Sequence, residues 1–152
     1  MISLATSSDF GAIADLNVTA YREFATLMSP EGWRGMEKSL RVVEARAQST
    51  QFLVMREQGA IVGSVGYCPA GKGNPEFFPP DWAGVLHLAV SPTHRGRGIA
   101  RELVSTCIQY AQDDSAEVIG LFTSELPIRL GLRYWRYKLQ LTRPRTSVRD
   151  EA

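Results

Sequence analysis

The chain has 152 residues, 44% hydrophobic and 22% charged, with a formal net charge of +1. That is the make-up of one globular domain able to bury a core without disulfides or a structural metal. The near-neutral balance supplies no overall field for nucleic acid or an anionic membrane, and no apolar run approaches the ~20 residues that cross a bilayer.

Residues 2–5 read as a short edge strand. Ser7, Ser8 and Asp9 offer N-cap oxygens, and Ile13, Leu16, Ala20, Phe24 and Leu27 recur at steps of three and four, which predicts an amphipathic helix over about 9–25. Ser29-Pro30-Glu31 starts a second helix: serine caps, proline tolerates the missing N–H, and glutamate suits the positive helix end. Its stripe of Trp33, Met36, Leu40, Val43 and Ala47 carries it to Ala47. Phe52–Met55 and residues 60–68 form a hairpin about Glu57-Gln58-Gly59. A Gly- and Pro-rich loop, 69–81, holds Phe77 and Phe78. Residues 84–90 are an apolar strand buried on both faces. A helix follows over 98–113, then a strand at 118–122, a short helix at 125–130 and a last strand over 134–141. Cys68 and Cys107 form no C-x-x-C pair and sit in apolar runs, so they read as core residues in a reducing compartment. Met1–Ala5 lacks the regions of a signal peptide, and the expected location is cytoplasmic. A meander followed by a strand–helix–strand crossover predicts an α/β (α+β) fold with a mixed sheet and helices on both faces. Residues 1–142 are expected to form one domain and 143–152 a basic, flexible tail.

The chemistry concentrates between residues 85 and 104. A buried strand ends at Val90, and Arg95-Gly96-Arg97-Gly98-Ile99-Ala100 leads straight into a helix. Glycines let the backbone approach a ligand closely. The first N–H groups of a helix are unpaired and sit at the positive end of its dipole, an arrangement that binds phosphate. Arg95 and Arg97 add charge and bidentate donors. A P-loop would need Lys-Ser or Lys-Thr after the glycines, and a dinucleotide fingerprint would need a third glycine where Arg101 stands.

Arg95–Ala100 resembles the [Q/R]-x-x-G-x-[G/A] motif of the GNAT superfamily of N-acyltransferases, and Leu88-Ala89-Val90-Ser91-Pro92 looks like its preceding strand end. The order of elements over residues 2–141 is similar too. The resemblance implies a mostly antiparallel sheet in which strand 84–90 splays from strand 117–123. It implies acetyl-coenzyme A as co-substrate, with its pyrophosphate on the amides of Arg95, Gly96, Arg97, Gly98, Ile99 and Ala100. The pantetheine arm would pair with Leu88, Ala89 and Val90, and the Val90 N–H would serve the thioester carbonyl. The acceptor, an unidentified primary amine of a small molecule or peptide, would enter near residues 25–35 and 69–81 and receive the acetyl group directly.

Amine acetylation needs a base. His87 is the candidate, because its intrinsic pKa suits the task; a histidine hydrogen-bonded inside a sheet is the alternative reading. Asp81 and Glu125 are weaker candidates. The family's late-helix tyrosine has no counterpart here, since Pro127 stands at its position. Either the thiolate leaves without a dedicated acid, or the chain is a catalytically weak or inactive acyl-CoA-binding module with a regulatory or partner-binding role. Arginines from Arg129 to Arg149 make the C-terminal region basic, yet nucleic acid is not an expected partner. No metal and no membrane contact are expected, and a symmetric homodimer is an open assembly.

Overall fold

The computed structural model describes residues 1–73, 75, 78–121 and 137–141, with the backbone alone for 137–140. The expectations for Phe77, Phe122, Glu125, Pro127, the 125–130 helix, residues 134–136 and the 143–152 tail lie outside the described residues.

In chain order the elements are β1 (Ile2–Leu4), α1 (Phe10–Tyr21), α2 (Pro30–Leu40), β2 (Gln51–Glu57), β3 (Ala60–Cys68), β4 (Trp82–Val90), α3 (Ile99–Asp113), β5 (Val118–Leu121) and β6 (Tyr137–Gln140), with 3-10 turns at Ser7–Asp9, Arg22–Leu27, Arg46–Gln48 and Pro92–His94. The strands form one sheet in sequence order. Neighbours are antiparallel except β4 and β5, which are parallel. That is the mixed, mostly antiparallel architecture expected.

Alternation on β2 explains why helices cover both faces. Phe52 and Val54 point one way, into a cluster with Ile13 and Ala14 of α1. Leu53 and Met55 point the other way, with Ile99, Leu103, Cys107 and Ala111 of α3. Both cysteines are free and buried, and burial pushes the Cys107 thiol up to about 12. Gln58 and Gly59 both have positive φ, as a tight β2–β3 turn demands.

Two helices end differently from the sequence expectation. The first is α-helical only to Tyr21 and then tightens into the 3-10 turn 22–27, leaving Leu27 56% exposed despite its place in the apolar stripe. The second stops at Leu40 rather than Ala47. There the Arg41 N–H still reaches the Glu37 carbonyl, but the Val42 and Val43 N–H groups close onto Ser39 and Arg41. This drops Val43 against Ile13, Phe52 and Val54. The stripe correctly marked burial but said nothing of continuity, since a turn buries Val43 as well as a helix would. The Ser29 cap does form, its hydroxyl accepting the Gly32 N–H at 3.0 Å. At the first helix Asp9, one of the three expected residues, holds the N-cap position, while Thr6 caps the 3-10 turn before it in a capping box with Asp9.

Candidate functional site

β4 carries an irregularity that organises everything around it. Ser64 pairs with Ala89 and Gly66 with Leu86, so two steps along β3 are matched by three along β4. The extra residue is a β-bulge, which bends a strand and re-aims its groups. His87 sits in it with φ 49°, a left-handed conformation that costs a non-glycine residue on the order of 1 kcal/mol. The described pairing of β4 with β5 runs from Trp82↔Val118 to Val85↔Leu121. The bulge therefore starts just past the last of these pairs, and β4 continues to Val90.

A cleft of about 460 Å³ opens beside that continuation. Of the residues expected at the site, Leu88, Ala89, Val90, Arg95, Gly96, Gly98, Ile99 and Ala100 line it, and His87 and Arg97 do not. Gly96 and Gly98 have φ of 77° and 81°, so the loop takes a path closed to most side chains. Gly98 is the N-cap of α3, which brings the free N–H groups of the helix start to the cleft wall. Ile99 then anchors the helix. A Cβ at Gly63 would stand 2.6 Å from its Cγ2 and 3.0 Å from Leu103 Cδ1, so only glycine lets α3 begin this close to β3.

Both arginines of the loop are engaged by acids. Arg95 donates to Glu23 Oε1 and to the Ala20 carbonyl, each at 2.9 Å, and so ties the end of α1 to the loop. Arg97 stands 3.5 Å from Glu57 Oε1, and His94 Nε2 lies 3.9 Å from the other oxygen of Glu57. Glu23 also lines the cleft. Glu23→Gln should tighten acetyl-coenzyme A binding up to about fivefold at low salt, since exposed pairs are worth at most about 1 kcal/mol. Titration at 20 mM and 500 mM salt checks this, because screening should erase the gain.

Tyr21, Phe24 and His94 complete the cleft. Tyr21 donates to the Leu88 carbonyl at 3.1 Å, and burial raises its pKa, so it stays protonated. Sequence reasoning placed Phe24 on an apolar stripe and missed Tyr21 and His94 as site residues. Tyr21 is the last residue of α1 and belongs to no local motif; only its contact across 67 residues reveals it. His94 could have been noticed as a second imidazole directly before Arg95.

His87 is half-buried. Burial, and secondly the Arg46 guanidinium, push its pKa down from 6.5 to about 4. It is therefore neutral at pH 7 and free to accept a proton. The unfolded chain takes up that proton at higher pH than the folded one, so stability should fall as pH drops from about 6.5 to about 4. The gap of roughly 2.5 pH units, at about 1.4 kcal/mol each, bounds the loss at about 3.5 kcal/mol. Urea titrations at pH 7 and 4.5 measure it, and His87→Asn should flatten the difference. Asp9, held low by Arg56 and the Thr6 N–H, loses its contribution at more acid pH.

Asp81 is exposed, a solvated carboxylate. A second groove, about 540 Å³, lies between α1 and the β2–β3 turn. Its Asp9 and Arg56 already pair at 2.8 Å, and it holds neither the glycine loop nor the open end of β4, so the cleft at Leu88–Ala100 is the better site. No described helix is long and apolar enough to cross a membrane.

Comparison with known proteins bears on the family and the fold. Residues 12–127 match the family model described as the acetyltransferase (GNAT) family. The chain is similar to N-acetyltransferase 8B of Rattus norvegicus, 39% identical over 80 residues that make up 51% of this chain and 33% of that protein. It is similar to N-acetyltransferase 8B of Homo sapiens, 32% identical over 77 residues, 51% of this chain and 33% of that protein. It thus spans about a third of the length of the curated relatives it matches. Among solved structures it resembles a GNAT family acetyltransferase from Brucella melitensis in complex with acetyl-CoA, with TM-score 0.67, 22% identity, and coverage of 93% of this chain and 88% of that one. It also resembles a GNAT family N-acetyltransferase from Escherichia coli in complex with CoA, with TM-score 0.59, 21% identity, and coverage of 86% and 67%. These two likenesses bear on the fold; the family match covers most of the chain, and the bulged β4 and glycine loop fall inside it. On that match the chain belongs to the acetyltransferase (GNAT) family.

Proposed function

We propose that the protein transfers an acetyl group from acetyl-coenzyme A directly to a primary amine of a small molecule or peptide. The observation that carries the reading is the cleft in which the free end of β4 meets two left-handed glycines at a helix start. Glycines there leave open the space that side chains would fill, which suits a pyrophosphate drawn to free N–H groups. The Brucella and Escherichia coli proteins, built on the same fold, are complexes with acetyl-CoA and CoA, and the curated relatives are named as N-acetyltransferases.

In this reading the N–H groups of residues 95–100 hold the pyrophosphate and the exposed edge of Leu88, Ala89 and Val90 pairs with the pantetheine amides. The Val90 N–H steadies the thioester oxygen as charge builds there. The amine nitrogen forms the new C–N bond, and the C–S bond breaks with its electron pair going to sulfur. The proton lost by the amine passes to His87 and from there to solvent or the thiolate. Its pKa near 4 departs from the near-neutral value expected of it and makes His87 a weaker base than the task favours, so in this reading it relays the proton rather than holds it. Tyr21 keeps its own proton and fixes the Leu88 carbonyl of the same strand edge.

Calorimetry with acetyl-coenzyme A tests the reading first: micromolar binding supports it, and no binding sinks it. Thiol release across a panel of primary amines, with His87→Ala beside the wild type, tests the transfer.

A further inference from the structure

An arginine on the turn beside β3 and β4 stands without an acid partner among the described residues. Arg41, Arg56, Arg95 and Arg97 each meet a carboxylate. Arg46 meets none among the described residues. Its Nε is buried without a partner, and one terminal nitrogen lies 3.4 Å from the Ser39 hydroxyl. The residue is half-buried, and a guanidinium partly drawn in from water gains from a partner that answers its remaining terminal donors.

Its position is fixed by backbone contacts. The Arg46 carbonyl accepts the Thr50 N–H at 2.9 Å. The Thr50 methyl lies 2.8 Å from where a Gly66 Cβ would be, a point only 3.3 Å from the Leu86 carbonyl. The 46–50 turn therefore rests on β3 and β4 at Gly66 and Leu86, beside His87. The guanidinium is close enough to His87 to disfavour its protonation. Farther along the same strand, the Phe78 ring lies over Gly84 and Gly120, with both would-be Cβ positions within 3.3 Å of ring carbons. The coenzyme cleft includes Leu88 but stops short of His87. The bulge thus separates the coenzyme's stretch of β4 from one bordered by a neutral imidazole, a guanidinium without an acid partner and a buried phenyl ring.

We propose that Arg46 is a specificity-determining residue that binds the carboxylate of the acceptor, so that the substrate class is amino-acid-like amines, with the amine beside His87 and an apolar side chain toward Phe78. This rests on the acetyl-transfer reading above. The chemistry matches, because a guanidinium binds a planar carboxylate through two parallel N–H donors, and in an α-amino acid one carbon separates carboxylate from amine.

The test compares amines that differ only in the carboxylate: phenylalanine against phenethylamine, and leucine against isoamylamine, each with acetyl-coenzyme A and thiol release as readout. In the wild type kcat/KM for at least one amino acid should exceed that of its decarboxylated partner roughly 30-fold or more. Arg46→Gln should bring the ratio near one, chiefly through KM, while calorimetric affinity for acetyl-coenzyme A stays unchanged. Arg46→Lys, which keeps the charge and loses the fork, should fall between. Thermal melts of both variants confirm folding. Equal or better use of the bare amines by the wild type, an unchanged ratio in Arg46→Gln, or no acetylation of either amino acid by a protein that binds acetyl-coenzyme A overturns the assignment. Absence of coenzyme binding overturns instead the reading beneath it.

Discussion

Gly98→Val should lower acetyl-coenzyme A affinity about 100-fold and leave the protein folded. Gly98 has φ 81°, and a β-branched residue in that conformation costs on the order of 1–2 kcal/mol. Some of that cost appears as a lower melting temperature, and some as a shift of the loop toward ordinary φ. Either way the N–H groups at the α3 start leave their alignment, and hydrogen bonds to charged groups are worth about 1.5–3 kcal/mol each. The steric part points the same way. A Cβ at Gly98 meets nothing within 4 Å, so the chain itself has room for it. Gly98 lines the cleft, and in the proposed reading the valine methyl groups would stand in the path of a phosphate. Gly35, on exposed helix α2 and equally uncrowded, supplies the control. Gly35→Ala should leave binding unchanged and stabilise by up to about 1 kcal/mol. Calorimetry and thermal melts on the two variants separate the ligand's space from mere tolerance of a methyl group. Full affinity in Gly98→Val would remove the glycine loop from the coenzyme site.

Leu103→Ala should destabilise the fold by about 3 kcal/mol, within the 2–5 kcal/mol usual for a buried leucine. Leu103 has no solvent exposure and belongs to the cluster that joins α3 to β2, β3 and β4. Its Cδ1 fills the hollow above Gly63. The backbone beneath is already in contact and cannot move up to close the gap, so the cavity should persist. Urea midpoints at pH 7 measure the loss. Leu27→Ala, at a residue 56% exposed, should change stability by less than about 0.5 kcal/mol.

Much of this fold was legible because burial leaves period and punctuation in a sequence. β3, β4 and α3 appear within a few residues of their expected spans, and the glycine loop falls where strand and helix signals meet. What was not legible depends on partners rather than on local pattern. The bulge at His87 exists only relative to β3, since an extra residue is extra only against a neighbour's count. Tyr21 looks like any half-buried helical aromatic until Leu88 is placed beside it. Arg95 reads as a phosphate ligand from its motif, and the Ala20 carbonyl gives it a structural duty as well. The end of α2 was missed because a turn and a helix bury Val43 equally well.

The clamps around the glycine loop span long stretches of chain: 72 residues from Glu23 to Arg95 and 40 from Glu57 to Arg97. A binding surface stitched together from such distant segments has no counterpart in the denatured ensemble or in an isolated peptide carrying the motif. Ligand occupancy and global folding are therefore one coupled equilibrium. At 100 times its dissociation constant, a ligand confined to the native state adds about 2.7 kcal/mol of resistance to unfolding. Saturating coenzyme should thus shield against proteolysis even cleavage sites far from the cleft.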